Sequence, residues 1–301
     1  MTEKGEIMKL YAPGYYKKFK CIADKCDHSC CIGWEIDIDE EALGKYKALT
    51  DGYGKIINDS ISFDGTPHFK LCEGDRCPHL DERGLCRIIL NVGEDHLCGI
   101  CREHPRFYNF TDVAEVGLGM SCREAARLIL SSDDCFMTEH IGEADGEETA
   151  LDFNGRLERE RVFAILQNNS LDYRSKLEKI YREYEIECFD DDYWLGIINE
   201  LEYLEESHRE LFLNYSAQKR ANGADEYLER ALTYFIYRHC TEAFDEEDFR
   251  ARLSFCLFCE RLLSSLIASQ GAKTLNDIAV LASIVSEEIE YSEENTEALT
   301  Y

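Results

Sequence analysis

The chain has 301 residues, enough to bury a core without covalent staples, and carries a formal charge of -28. Such a charge repels phosphates and gains nothing from counterion release, which argues against a nucleic-acid partner. The first residues, Met1–Glu6, lack the basic start and apolar run of a secretory signal, and no stretch of about 18 apolar residues occurs, so a cytoplasmic protein without a membrane partner is expected.

In chain order, Leu10 to Lys20 is aromatic and basic, with Pro13 and Gly14 marking a turn and the tyrosines expected to pack beside the cysteine module. Four thiols then fall within eleven residues, at Cys21, Cys26, Cys30 and Cys31. The alternation of Trp34 to Asp39 predicts a half-buried strand, Glu40 to Leu49 a helix ended by Thr50, Asp51 and Gly52, and Lys55 to Phe63 a second strand. Cys72, Cys77 and Cys86 come next, the last two on either side of the turn Asp81 to Gly84. Cys98 and Cys101 form a CxxC ahead of the basic, aromatic patch Arg102 to Phe107. Gly117 to Leu130 reads as a loop entering a helix, with Ser121 as cap and Glu124 completing a capping box. Cys122 then lies in the first turn, where the helix dipole favours a thiolate.

Residues 142–155 read as a linker. Beyond it apolar residues keep helical spacing, and Thr274 with Asp277 predicts a capping box for a last helix carrying Ile278 to Ile289. This half is the acidic one: residues 1–134 hold 17 Lys and Arg against 24 Asp and Glu, the remainder 16 against 37. That charge keeps a helical surface solvated and can speed the encounter with a lysine-bearing protein. The expected fold is mainly α, with a cysteine-rich metal-cluster module containing a few short strands over residues 1–140 and a helical bundle over 155–301.

Eleven of fifteen cysteines lie between Cys21 and Cys135. In a reducing compartment such density points to metal or cluster ligation rather than disulfides. Zinc and iron–sulfur clusters both need thiolates converging from several segments, and Cys21 to Cys31, Cys77 with Cys86, Cys98 with Cys101, and Cys122 supply four. Zinc ribbons use paired CxxC knuckles, of which this half has one, whereas a cluster tolerates looser spacing; zinc stays open as the alternative. Of the neighbours Cys30 and Cys31, one is expected to ligate and the other to pack or serve a second metal. Cys135 and Cys188 read as buried hydrophobes, and Cys256 and Cys259 as core residues of an apolar helix. His79 and His104 read as hydrogen-bonded groups rather than ligands. There is no nucleophile elbow or P-loop, and Gly117-Leu118-Gly119 lacks the third glycine and the preceding strand of a dinucleotide site.

Several of these stretches are similar to the flagellin lysine-N-methylase (FliB) family and, more broadly, to the zinc- or iron-chelating (YkgJ-like) cysteine-cluster modules. They are Leu10-Tyr11-Ala12-Pro13 with Tyr15-Tyr16; Phe19-Lys20-Cys21 and Cys26 to Cys31 with Gly33-Trp34; Cys77-Pro78-His79-Leu80 with Gly84-Leu85-Cys86; Cys101-Arg102 with His104-Pro105-Arg106; and Ser121-Cys122 with Glu124, Ala126, Arg127 and Leu128. Arg123 stands where the family is expected to have proline. The resemblance implies methyl transfer from S-adenosylmethionine to flagellin lysines by a protein carrying an iron–sulfur cluster, expected to be of the 4Fe-4S type. The expected ligands are Cys30, Cys77, Cys86 and Cys101, with Cys26, Cys31, Cys98 and Cys122 as substitutes. Neither a methyltransferase glycine fingerprint nor the radical-SAM cysteine triplet is present, and no base or cofactor-binding residue is named. Two other classes remain: a non-catalytic zinc- or iron-chelating interaction module, and an iron–sulfur protein of metal handling or electron transfer.

Overall fold

The computed structural model describes residues 6–50, 52–146 and 153–300. After β1 (Glu6–Pro13) come α1 (Glu40–Ala48), α2 (Gly52–Asp59), the short strands β2 (Ile61–Ser62) and β3 (His68–Phe69), α3 (Arg87–Val92) and α4 (Gly99–Glu103). Then β4 (Arg106–Phe110), β5 (Ala114–Leu118), α5 (Arg123–Ser131) and β6 (Thr138–Gly146) lead into a helical series. It comprises α6 (Gly155–Leu166), α7 (Tyr173–Glu183), α8 (Asp191–Glu200), α9 (Glu206–Phe212), α10 (Asp225–His239), α11 (Glu246–Gln270), α12 (Leu275–Val285) and α13 (Glu293–Thr300). The fold is mainly α with a small mixed sheet, and no helix among the described residues is long and apolar enough to cross a membrane.

Two compact units result: Met1–Phe19 with Arg106–Tyr301, the helical unit, and Lys20–Pro105, the inserted unit. The expected division between 140 and 155 rests on the linker composition of residues 142–155; by compactness residues 106–140 fall in the helical unit.

In the helical unit the sheet runs β4-β5-β1-β6. β1 pairs parallel with β5, Leu10 opposite Ala114, and antiparallel with β6 from Glu6–Gly146 to Pro13–Thr138. The expected turn at Pro13 therefore closes a strand, and the expected linker begins as one; its residues 147–152, like Asp51 and residues 1–5, lie outside the described residues. All five residues of β5 are buried, as a central strand requires. A Cβ on Gly117 would stand 2.3 Å from the Phe107 ring, so only glycine lets β4 and β5 pack this way.

The helical core is aliphatic and aromatic, with Leu232, Phe235, Leu253 and Leu262 wholly buried. α11 starts on the Asp245 cap and stops at Gly271 with φ 64°, and α12 opens with the Thr274–Asp277 capping box read from the sequence. The last expected helix does not run through to Ile289: Ser286–Glu290 winds as a π-helix, and α13 follows. Several charges inside this unit are paired. Arg159 grips Glu115 of β5 at 2.7 and 3.0 Å and donates to Thr241 at 2.7 Å. Glu290 accepts from the Tyr234 hydroxyl (2.9 Å) and faces His239 Nε2 at 2.6 Å. The Tyr234 oxygen in turn accepts the Met120 N–H at 3.1 Å, tying α10 to the loop before α5.

The inserted unit has a smaller core of Ile36, Ile38, Ala42, Tyr46, Ile57, Ile61, Phe69, Cys77, Leu80, Ile88 and Cys98. Asp39 caps α1 by accepting the Ala42 N–H, and Tyr46 is fully buried. Ile36 and Ile38 point inward as their alternation predicts, but the stretch forms only the isolated bridge Asp37–His68. The strand expected from Lys55 to Phe63 is instead mostly the helix α2, with only Ile61 and Ser62 extended. The Asn58 side chain explains the difference: it donates to the carbonyls of Tyr46, Leu49 and Gly54, closing α2 against the end of α1.

Candidate metal centre

Five thiols of the inserted unit share one neighbourhood. Cys77 lies within electrostatic reach of Cys31, Cys86 and Cys98, and Cys101 within reach of Cys98, Cys31 and Cys77. Different devices bring them in. Cys31 and Cys77 sit on adjoining extended segments joined by the bond from Cys77 N–H to the Cys31 carbonyl and by the Ile32–Arg76 bridge. Cys86 and Cys98 occupy the N-cap positions of α3 and α4, and Cys101 lies one turn into α4. Thiols at helix starts face backbone N–H groups and the positive end of the dipole.

Their acidities show what crowding does. The bond from Cys30 lowers the Cys31 thiol to about 7, helped by Ser29 and Arg76 against the effect of burial. The Cys101 thiol lowers Cys98 in the same way, and as the donor Cys101 is itself raised. Burial pushes Cys77 up to about 12 and also raises Cys86, in each case against nearby backbone N–H groups. Five like acids cannot all ionise together unless a cation joins them. Among the described residues no group of three or more His, Cys, Asp and Glu side chains is arranged to hold a metal ion as it stands. The thiols share a neighbourhood without forming a coordination shell, and their all-sulfur donor set suits a soft, thiolate-bound group.

Of the four ligands expected first, Cys77, Cys86 and Cys101 lie in this assembly, and two of the substitutes, Cys31 and Cys98, join them. Cys30 is exposed at its edge, its carbonyl accepting from Trp34 Nε1 at 2.8 Å. Cys26 is partly buried after a 3-10 turn. Cys122 belongs to the helical unit, where it is the N-cap of α5. The capping box expected there does not form: the cap falls one residue after Ser121, and Glu124 pairs with Arg127 at 2.8 and 2.6 Å instead. A strand, β5, does precede Gly119, contrary to the sequence reading, although the third glycine remains absent. Elsewhere Cys135, Cys256 and Cys259 are buried as expected, whereas Cys188 is exposed.

His79 is a clamp. Tyr53 Oη lies 2.8 Å from its Nδ1 and Ser60 Oγ 2.9 Å from its Nε2, so both ring nitrogens are taken. Burial and then Arg87 hold its pKa down to about 4, which keeps the ring neutral. Its backbone N–H favours the Cys77 thiolate. Sequence reading missed Asp39, Tyr46, Tyr53 and Ser60 because a hydroxyl or carboxylate that bonds across the chain leaves no local pattern.

Comparison with known proteins places this assembly in context. The flagellar biosynthetic protein FliU of Salmonella muenchen is 30% identical over 131 residues, which is 40% of this chain and 77% of FliU. The chain belongs to the flagellin lysine-N-methylase family. Two further relatives, each named lysine-N-methylase, from Salmonella typhimurium and Salmonella choleraesuis, are also 30% identical over 131 residues. The chain spans about a third of the length of these methylases, 32% of each. No family model matches the chain, and no solved structure matches it.

Proposed function

We propose that this member of the family is a protein-lysine N-methyltransferase acting on flagellin, with S-adenosylmethionine as methyl source and an iron–sulfur cluster on the thiols of the inserted unit. The observation that carries this reading is the 131-residue likeness to proteins named lysine-N-methylase. The gathering of Cys31, Cys77, Cys86, Cys98 and Cys101 supports the cluster. Cys77, Cys86 and Cys101, completed by Cys31 or Cys98, would hold it, and when bound it would serve to orient a sulfonium or pass electrons. A lysine ammonium has no lone pair, so the site needs a base to take its proton before the nitrogen accepts a methyl group. The charge of -28 favours approach of a lysine-bearing partner. The passage from β5 to α5 does not fit a dinucleotide-type cradle, since Met120 and Ser121 come directly after Gly119, and no step is assigned to it.

Co-expression with flagellin followed by mass spectrometry tests the activity: methylated lysines are expected, and unmodified flagellin overturns it. Anaerobic purification with iron, sulfide and zinc analysis tests the cluster. Iron with equal sulfide supports it, and loss of both in Cys86→Ser assigns that ligand; zinc without sulfide points to a structural module instead.

A further inference from the structure

Three groups of α1 grip the segment that carries Cys98 and Cys101. Lys45 Nζ donates to the Asp95 carbonyl at 2.8 Å, and the buried Tyr46 hydroxyl donates to the His96 carbonyl at 2.7 Å. Asp39 Oδ2 accepts the Gly99 N–H at 2.6 Å, while its Oδ1 accepts the Ala42 N–H at 2.9 Å. One carboxylate thus serves the first turns of both α1 and α4. Cys98, the N-cap of α4, makes no side-chain capping bond of its own, so the carboxylate does that work from across the unit. A Cβ on Gly99 would come 3.3 Å from Asp39 Oδ2, which shows how close the approach is. The Asp39 charge also reaches the thiol of Cys98, and both Asp39 and the thiols Cys98, Cys101 and Cys86 reach Tyr46.

We propose that Asp39 and Tyr46 are positioning residues for the thiol centre. Tyr46 fixes the chain just before Cys98, and Asp39 fixes the first turn of α4 while placing a negative charge beside whatever group the thiols hold. This rests on the cluster reading above. A fixed negative charge opposes the arrival of an electron, so Asp39 holds the reduction potential of that group down, whereas Tyr46, being neutral, acts through position alone.

The test uses the full chain, purified without oxygen, as wild type, Asp39→Asn and Tyr46→Phe. Asparagine keeps the size but offers one acceptor oxygen and no charge; phenylalanine keeps the buried ring and loses one bond. Circular dichroism and chemical unfolding check that each variant folds. For Asp39→Asn a more positive midpoint potential is expected. For Tyr46→Phe an unchanged midpoint is expected, with release of iron to a chelator about fivefold faster. An unchanged midpoint in Asp39→Asn together with wild-type iron release in Tyr46→Phe overturns the proposal. If wild type holds no iron and sulfide, the cluster reading fails on its own, and positioning is read from the metal-free reduced chain by alkylation mapped by mass spectrometry. Cys98 and Cys101 should then react about fivefold faster in both variants while Cys135 keeps its rate; equal rates overturn the proposal.

Discussion

The helical unit and the inserted unit solve the same stability problem with different materials. The helical unit buries long aliphatic and aromatic side chains and pairs enclosed charges such as Arg159 with Glu115, so most of its cohesion comes from within the polypeptide. The inserted unit encloses a short list of apolar residues, and Cys77 and Cys98 occupy two of its core places, with Cys31, Cys86 and Cys101 packed at the margin. With so small a core, the unit comes near the size, ~70–80 residues, at which a module usually needs a staple or a metal. The comparison teaches that the thiols serve as structure before they serve as chemistry.

If the thiols hold the proposed group, stripping it is the sharpest way to break this contrast. On chelation, amides of residues 20–105 should lose hydrogen-exchange protection outright, since structural metal sites contribute on the order of 10 kcal/mol, while α10 and α11 stay protected. Uniform loss across both units would erase the distinction. Next in size is Arg159→Met, which leaves the Glu115 carboxylate buried and unpaired; a loss of about 3–5 kcal/mol in urea unfolding is expected. Adding Glu115→Gln should recover much of it, because the cost lies in the orphaned charge.

A smaller effect comes from Glu260, whose buried carboxyl is raised by desolvation to about 7, against the pull of Arg220 and Arg261 and with Tyr173 and Asp225 also facing it. Below about pH 4.5 the group is protonated whether folded or not and contributes nothing. As pH rises towards 7 the unfolded chain ionises first, so stability falls, and it levels off above the folded pKa. Glu260→Gln should flatten that decline, worth about 3 kcal/mol at pH 8 and near zero at pH 4. A wild-type profile that is flat over this range would refute it. Smallest of all, Arg174→Ala removes an ion pair with Glu178 that lies almost wholly in solvent, and no measurable change in Tm is expected.

What could be read from the sequence was what neighbouring residues decide among themselves. The helical pattern from Glu40 announces α1, and Thr274 with Asp277 announces α12, because a cap is a bond made within four residues. The sheet escaped notice because β1 finds its partners about a hundred residues later, β5 has no exposed face to give alternation, and β6 is polar enough to pass for a linker. α2 looked like a strand because Ile56 and Ile57 are adjacent, and the Asn58 bonds that decide the matter reach back to α1. The thiol centre was half legible for the same reason. Spacing brought Cys77, Cys86 and the CxxC forward, but spacing cannot say which of Cys30 and Cys31 faces inward; the pairing of that segment with Arg76 and Cys77 decides it.

The interruption of the sheet by residues 20–105 sets a schedule for synthesis. β1 emerges from the ribosome before its parallel neighbour β5, which arrives only after the whole inserted unit has been made, a wait of roughly 5–20 s at common translation rates. By the end of that interval every thiol of the inserted unit has been made, before β5 can pair with β1. Loading of the thiols with the proposed group could therefore precede closure of the sheet, and without it chains would linger with an unpaired β1 edge, the form most prone to aggregate.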